Sequence, residues 1–317
     1  MNLPRPHPGI QVWSRRHLLR LILPTPLVLA GCGRQNLGEG PGNDGSKAII
    51  QNGGSDTMVN IAQAWAEEYA EVEPSVSVEV SGGGSGTGIA SLINGTIDIA
   101  NCSRKIEPKE RESARVNNGT EPREFILGYD ALAIFVHRSN PLEEISLSQV
   151  GDIYRENGQA KTWSDLGVRN VGCRQDQIIR VSRQSNSGTY HYFREAVLGK
   201  GADFRLGSLD LHGSKDVVEL IGRTPCAIGY SGIGYANDHV RVLRVARKPG
   251  DPAFAPTVEN TQSGSYPIAR PLYMYTQGEP KPHIRAFMNW AHGPDGQRIV
   301  QESGYVPLLP SQQQEPI

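Results

Sequence analysis

The sequence predicts an α/β protein built on an open sheet, and three observations carry that prediction. From residue 47 onward, short runs with strand periodicity alternate with runs of helical periodicity. The connections are punctuated by glycine and proline, 36 and 22 of the 317 residues. Hydrophobic content of 38% with 21% charged residues suits one large domain or two of ordinary size and excludes a disordered chain. Basic residues number 32 and acidic residues 33, a balance unlike that of a nucleic-acid-binding surface.

Residues 47–51 open a strand, Gly53-Gly54-Ser55-Asp56-Thr57 form a turn, and residues 58–71 form a helix. Its apolar face is set by Ile61, Trp65 and Tyr69, spaced four apart. Residues 76–80 alternate valine with polar residues and read as a strand. A glycine loop, residues 81–88, leads into a short helix over 89–94 and a strand over 96–100. This β-loop-α-β-loop-α-β order is what favours the open sheet. Residues 131–136 are a wholly apolar strand, and 145–154 and 163–166 fit short helices or turns. A strand over 178–181 runs into Arg183-Gln184-Ser185-Asn186-Ser187-Gly188-Thr189, followed by a helix over 190–198. Residues 217–222 and 226–235 repeat the helix-then-strand order; 268–275 is another apolar strand, and 284–290 and 296–302 are helical. No internal repeat is present, and the tail from Ser311 is polar.

The first 31 residues read as an export signal. Ser14-Arg15-Arg16-His17-Leu18-Leu19-Arg20 precedes an apolar run over 21–30 that is short and broken by two prolines. The paired arginines resemble a twin-arginine motif and favour that route over an ordinary secretory signal. Leu29-Ala30-Gly31-Cys32 looks like a lipobox, which makes Cys32 the lipidated first residue of the mature chain. Loss of residues 1–31 removes four arginines and no acid, leaving 28 basic against 33 acidic residues, a net charge near −5. Residues 32–46 suit a flexible tether. Of the remaining cysteines, Cys173 and Cys226 are the preferred disulfide pair in an oxidising compartment, with Cys102 left over. No Cys-x-x-Cys or His-x-x-x-His spacing suggests a metal.

Three segments share one pattern of strand, small hydroxyl-bearing loop and helix: Gly54-Ser55-Asp56-Thr57, Gly84-Ser85-Gly86-Thr87 and Asn186-Ser187-Gly188-Thr189. A helix start leaves backbone N–H groups without intrahelical partners and carries a partial positive charge. Glycine lets an anion approach the backbone, and hydroxyls add donors. Any one loop is more simply a helix cap. Their recurrence, together with Arg183 and with Ser103-Arg104 at the end of a strand, points to a site for a tetrahedral oxyanion. Asp56 has two readings of equal weight, a site acceptor or a helix cap. Arg104 has two as well, an anion contact or a partner for a carboxylate. The glycine loop lacks the lysine of a phosphate-binding P-loop, and its glycines do not match G-x-G-x-x-G. Ser85 is not in G-x-S-x-G, because Thr87 fills the last position, and His191 reads as an exposed or packing histidine.

Taken together, these strings resemble the phosphate-binding protein of the bacterial phosphate ABC transporter, the PstS type. The matching strings are Gly54-Ser55-Asp56-Thr57-Met58, residues 81–89, Asp98-Ile99-Ala100-Asn101-Cys102-Ser103-Arg104 and Ser185-Asn186-Ser187-Gly188-Thr189-Tyr190. Gly128-Tyr129-Asp130, Ala227-Ile228-Gly229-Tyr230 and Gly304-Tyr305-Val306-Pro307-Leu308 also fit, so the likeness covers residues 48–308. It implies a class II periplasmic-binding-protein fold, with two α/β domains joined by a two-segment hinge near 131–136 and 268–275. Domain 1 would comprise 47–132 plus 265–317, and domain 2 residues 133–264. The resemblance implies phosphate contacts from Thr57, Ser85, Ser103, Arg183, Ser187, Gly188 and Thr189, with Ser55, Asp56 and Arg104 as possible additions. It implies no catalytic residue, metal or cofactor. Expected partners are inorganic phosphate, permease subunits in the inner membrane and a membrane reached through the lipid anchor, with the chain a monomer that binds no nucleic acid. Familiar members place a carboxylate where this chain has Ser103, so Asp56, and after it Asp98, are the candidates for rejecting sulfate. The alternatives are a receptor for sulfate, tungstate or molybdate, an extracytoplasmic phosphatase, or a phosphate sensor.

Overall fold

The computed structural model describes residues 47–313 and 317, so the signal, lipobox and tether readings lie outside the described residues. Among the described residues no helix is long and apolar enough to cross a membrane.

The first part of the chain runs β1 (Ala48–Gly54), α1 (Val59–Val72), β2 (Val76–Ser81), α2 (Ser85–Ile93), β3 (Ile99–Cys102), α3 (Pro108–Asn118) and β4 (Pro122–His137). The middle runs β5 (Glu144–Ser146), α4 (Leu147–Tyr154), β6 (Ile179–Arg183), α5 (Gly188–Phe193), β7 (Leu209–Leu211), α6 (Ser214–Arg223), β8 (Ala227–Gly232), β9 (Val240–Val242), β10 (Arg244–Ala246) and α7 (Val258–Gln262). The chain closes with β11 (Ala269–Gln277), α8 (Pro282–His292) and α9 (Pro294–Glu302). β1 lies between β2 and β3, all parallel, because each strand returns through a helix. Among the described residues the main sheet has nine strands in the order β2-β1-β3-β11-β4-β8-β6-β7, with β9 also on β4. β5 and β10 form a separate pair.

β4 is shared by both halves of this sheet. Residues up to Ala131 pair with β11, and from Leu132 the strand pairs with β8 and β9. Its register against β11 shifts between Leu272 and Tyr273, where Gly128 has φ of 155°. A side chain on Gly128 would lie 3.1 Å from the Val306 carbonyl oxygen, so the bulge makes room for the C-terminal segment. Each half carries apolar packing on both faces. One half encloses Ile50, Trp65, Met274 and Phe287 on one side and Ile89, Ala100 and Tyr275 on the other. The other encloses Trp163, Phe193 and Tyr230, and, separately, Phe135, Val217 and Ile221. Burying each of the Ile, Val, Phe and Met side chains among these stabilises the fold by about 1.5–3 kcal/mol. Ala131, Leu132, Tyr266 and Ile268 pack with the second core. Cys173 and Cys226 form a disulfide, and Cys102 is a buried thiol.

Several expected boundaries are corrected. α2 starts at Ser85 rather than 89, since Gly88 N already donates to the Gly84 carbonyl. β3 starts at Ile99 rather than 96, because Thr96 N folds back onto the Ser91 carbonyl. The expected helix over 145–154 divides into β5 and α4 at Ser146, whose hydroxyl accepts from Gln149 N in a capping box. The helix expected over 190–198 begins at Gly188 and widens to a π turn over Arg194–Leu198.

Candidate anion-binding site

The hydroxyl-bearing loops follow the C-terminal ends of β1, β2, β3 and β6, and the structure draws them together. Ser55 Oγ donates to Ser103 Oγ at 2.9 Å, Ser103 N donates to Ser85 Oγ at 3.1 Å, and the hydroxyls of Thr57 and Thr189 lie 2.8 Å apart. Gly188 belongs to the same cluster. A Cβ placed there would stand 2.3 Å from Ser85 Oγ and 2.8 Å from Ser103 Oγ. Ser55, Thr57, Ser85, Ser103, Ser187 and Thr189 are all buried.

The cap reading accounts for one loop only. Ser187 caps α5, accepting from Thr189 N and Tyr190 N. The N-caps of α1 and α2 are Met58 and Gly84, and neither makes a side-chain cap bond. The hydroxyls of Ser55, Thr57 and Ser85 are thereby left to the cluster. Glycine is required beside Ser85: Gly84 has φ of 92°, and a Cβ there would meet the Asn186 carbonyl oxygen at 2.7 Å. That close approach lets Gly86 N donate to Asn186 O at 3.0 Å while Asn186 Nδ2 donates to Gly83 O at 2.8 Å. These bonds join the loop before α2 to the loop before α5.

Arg183, the last residue of β6, turns inward and is 1% exposed. Its guanidinium donates to Ser214 Oγ at 2.8 Å, to the His212 carbonyl and to Asp56 Oδ2 at 2.8 Å. Burial pulls this guanidinium below its ordinary pKa, and the Asp56 charge opposes that pull. Asp56 Oδ1 accepts from Gly83 N at 2.8 Å, so the carboxylate ties the loop before α2 to Arg183 and does not cap α1. Tyr235, whose hydroxyl donates to the Asp56 carbonyl oxygen at 2.6 Å, is pushed up to about 12, mainly by burial.

Two expected residues lie elsewhere. Asp98 accepts from Gln51 N and faces Lys281, so it does not join the hydroxyl cluster. Arg104 forms a two-pronged pair with Glu110 at 2.8 and 2.7 Å, beside the first turn of α2. Burial would lower the Arg104 pKa, but the Glu110 hydrogen bonds and charge raise it, and Arg104 in turn holds Glu110 low against its own burial. His191 Nε2 contacts the Ser185 carbonyl oxygen at 2.7 Å, and burial followed by the Arg104 charge lowers its pKa. No group of three His, Cys, Asp or Glu side chains arranged for a metal occurs among the described residues.

The sequence reading missed Asp130 and Arg270. They form a buried ion pair at 2.7 Å, and Arg270 also reaches Ser103 O, Thr57 Oγ1 and Thr189 Oγ1. A signal was present: each is a charge at the edge of or within an apolar strand, where it must be paired.

Donor-rich loops gathered at strand ends of an α/β sheet, around buried guanidinium, define a binding protein for small oxyanions, in the class II periplasmic-binding-protein fold. The PBP superfamily domain matches residues 40–295, and the chain belongs to that superfamily. It is 33% identical over 309 residues to the phosphate-binding protein PstS of Pseudomonas aeruginosa, covering 92% of this chain and 95% of that one. Protein SphX of Synechococcus elongatus is 32% identical over 272 residues, 83% of this chain and 78% of its own. Among solved structures, a substrate-binding protein assigned to a phosphate ABC transporter of Clostridium perfringens, with phosphate bound, superposes with a TM-score of 0.73. It is 26% identical, and the match covers 82% of this chain and 100% of that one.

Proposed function

We propose that this chain captures inorganic phosphate and delivers it to an ABC permease. The observation that carries this reading is the convergence of the loops at Ser55–Thr57, Ser85, Ser103 and Ser187–Thr189 on one buried cluster beside Arg183. Thr57, Ser85, Ser103, Gly188 and Thr189 supply neutral donors, Ser187 orders the start of α5, and Arg183 supplies charge. Binding is reversible and makes no covalent bond. Two lobes, 47–132 with 265–317 and 133–264, close over the anion about the waist where β4 changes partners; the separate apolar cores of the two halves support a division into lobes, while Ala131, Leu132, Tyr266 and Ile268 pack with the core of the second. The chain acts outside the cytoplasm anchored through Cys32, a reading that rests on the N-terminal sequence, and as a monomer, which the family resemblance implies.

Isothermal titration of the protein with phosphate, sulfate and arsenate tests the proposal. Phosphate is expected to bind most tightly, and Arg183→Ala to weaken its binding by about 2–5 kcal/mol, the scale for removing one partner of a buried charge contact. Equal affinity in the variant would remove Arg183 from the site.

A further inference from the structure

The cluster contains a second guanidinium whose reach extends past its ion pair. Arg270 stands opposite Asp130 in the pairing of β11 with β4, and their side chains are 1% and 0% exposed. Nε and Nη2 donate to Asp130 Oδ2 at 3.0 and 2.7 Å. Nη1 donates to the Ser103 carbonyl at 3.0 Å, and Nη2 also reaches Thr189 Oγ1 at 2.9 Å and Thr57 Oγ1 at 3.3 Å. The Tyr192 ring lies over the guanidinium, 5.4 Å from centroid to carbon. A buried ion pair alone would be structural, and such pairs contribute little net stability. Here, however, three acceptors beyond Asp130 belong to residues of the hydroxyl cluster, two from one half of the sheet and one from the other.

We propose that Arg270 is a second cationic ligand of the anion, and that Asp130 tempers how much of its charge the anion meets. The assignment rests on the phosphate reading above and deepens it. Two guanidiniums, Arg183 and Arg270, face two carboxylates, Asp56 and Asp130, so the site is formally neutral before an anion arrives. A hydroxyl is a weak acceptor for Nη2; an oxyanion between Thr57 and Thr189 is a stronger one, because the resulting hydrogen bond is charge-assisted. The Thr57 and Thr189 hydroxyls would then donate to the anion instead of to each other. Asp130 remains engaged through Oδ1, which accepts from Ile233 N at 3.1 Å, and keeps the fork aimed.

This arrangement makes the two partners act with opposite sign. Asp130→Asn keeps the shape and removes a negative charge near the anion, so phosphate should bind about threefold tighter or more. Arg270→Lys keeps the charge but loses the fork, so phosphate should bind about tenfold more weakly. Simple loosening of the fold would weaken binding in both variants. The measurement is isothermal titration with inorganic phosphate, with folding checked by circular dichroism. If the unaltered protein does not bind phosphate, the phosphate reading falls and this assignment with it. If the unaltered protein binds, but Asp130→Asn is unchanged or weaker, or a folded Arg270→Lys matches the unaltered protein, the assignment alone is overturned. Should Arg270→Lys fail to fold, Asp130→Asn decides: tighter binding supports the assignment, and any other result overturns it.

Discussion

At the scale of single residues, the proposed selectivity turns on Asp56. Its two oxygens accept from Gly83 N and from Arg183, which places a carboxylate among donors. A protonated phosphate oxygen can donate to such a carboxylate; sulfate has no proton to give and meets only repelled lone pairs. Asp56→Asn is therefore expected to narrow the phosphate-to-sulfate affinity ratio by about tenfold or more, read by competition titration. An unmoved ratio would show that the discrimination lies elsewhere. The hydroxyl residues were legible in the sequence through their recurrence in three glycine-flanked loops, since any one of them alone could have been a helix cap. The pairing of Arg270 with Asp130 was not, because 140 positions separate them and only the β11 register brings them face to face. Asp98 misled for the opposite reason: it is close in sequence to Ser103, but its carboxylate faces the Gln51 amide.

At the scale of elements, strand ends do the positioning. β1, β2, β3 and β6 each deliver a donor loop at the C-terminal end, as open α/β sheets do. α5 must approach α2 closely, and Gly188 permits this. Gly188→Ala is expected to lower phosphate affinity by about tenfold or more, since its methyl would overlap Ser85 Oγ and Ser103 Oγ. The helix itself should not suffer, because alanine is the better helix former by about 1 kcal/mol. Unchanged affinity with an unchanged melting temperature would mean that the two helix starts do not meet around the ligand. Much of the order of elements was readable from apolar periodicity, but α3, which buries only Ala114, and the three-residue strands β7, β9 and β10 were not. Element edges were not readable either: Ser85-Gly86-Thr87-Gly88 has a loop-like composition yet forms the first turn of α2, where tertiary contacts outweigh helix propensity.

At the scale of the molecule, the disulfide and the anion cluster occupy opposite ends of β6. Cys226 lies at the strand's start, where its carbonyl accepts from Ile179 N, and Arg183 lies at the strand's finish. The bridge closes a separation of 53 residues, so replacing Cys173 and Cys226 with serine should cost about 2–5 kcal/mol in a denaturant melt. Phosphate affinity at room temperature should not move, and a large loss of it would tie the bridge to the site. Compartment and count made one disulfide legible without choosing the pair, and its remoteness from the hydroxyl cluster required the topology. The long strand β4 has a different consequence. It is one uninterrupted run of 16 residues whose neighbours change at Ala131 and Leu132. Such a strand behaves like a torsion bar: it yields to twist far more readily than to stretch, because its ladder bonds survive rotation. In the two-lobe reading, relative movement of the two ends would be channelled into a single swivelling coordinate, and the amides around Leu132, which donates to Ile268, should exchange slowly with solvent deuterium whichever way the bar is wound.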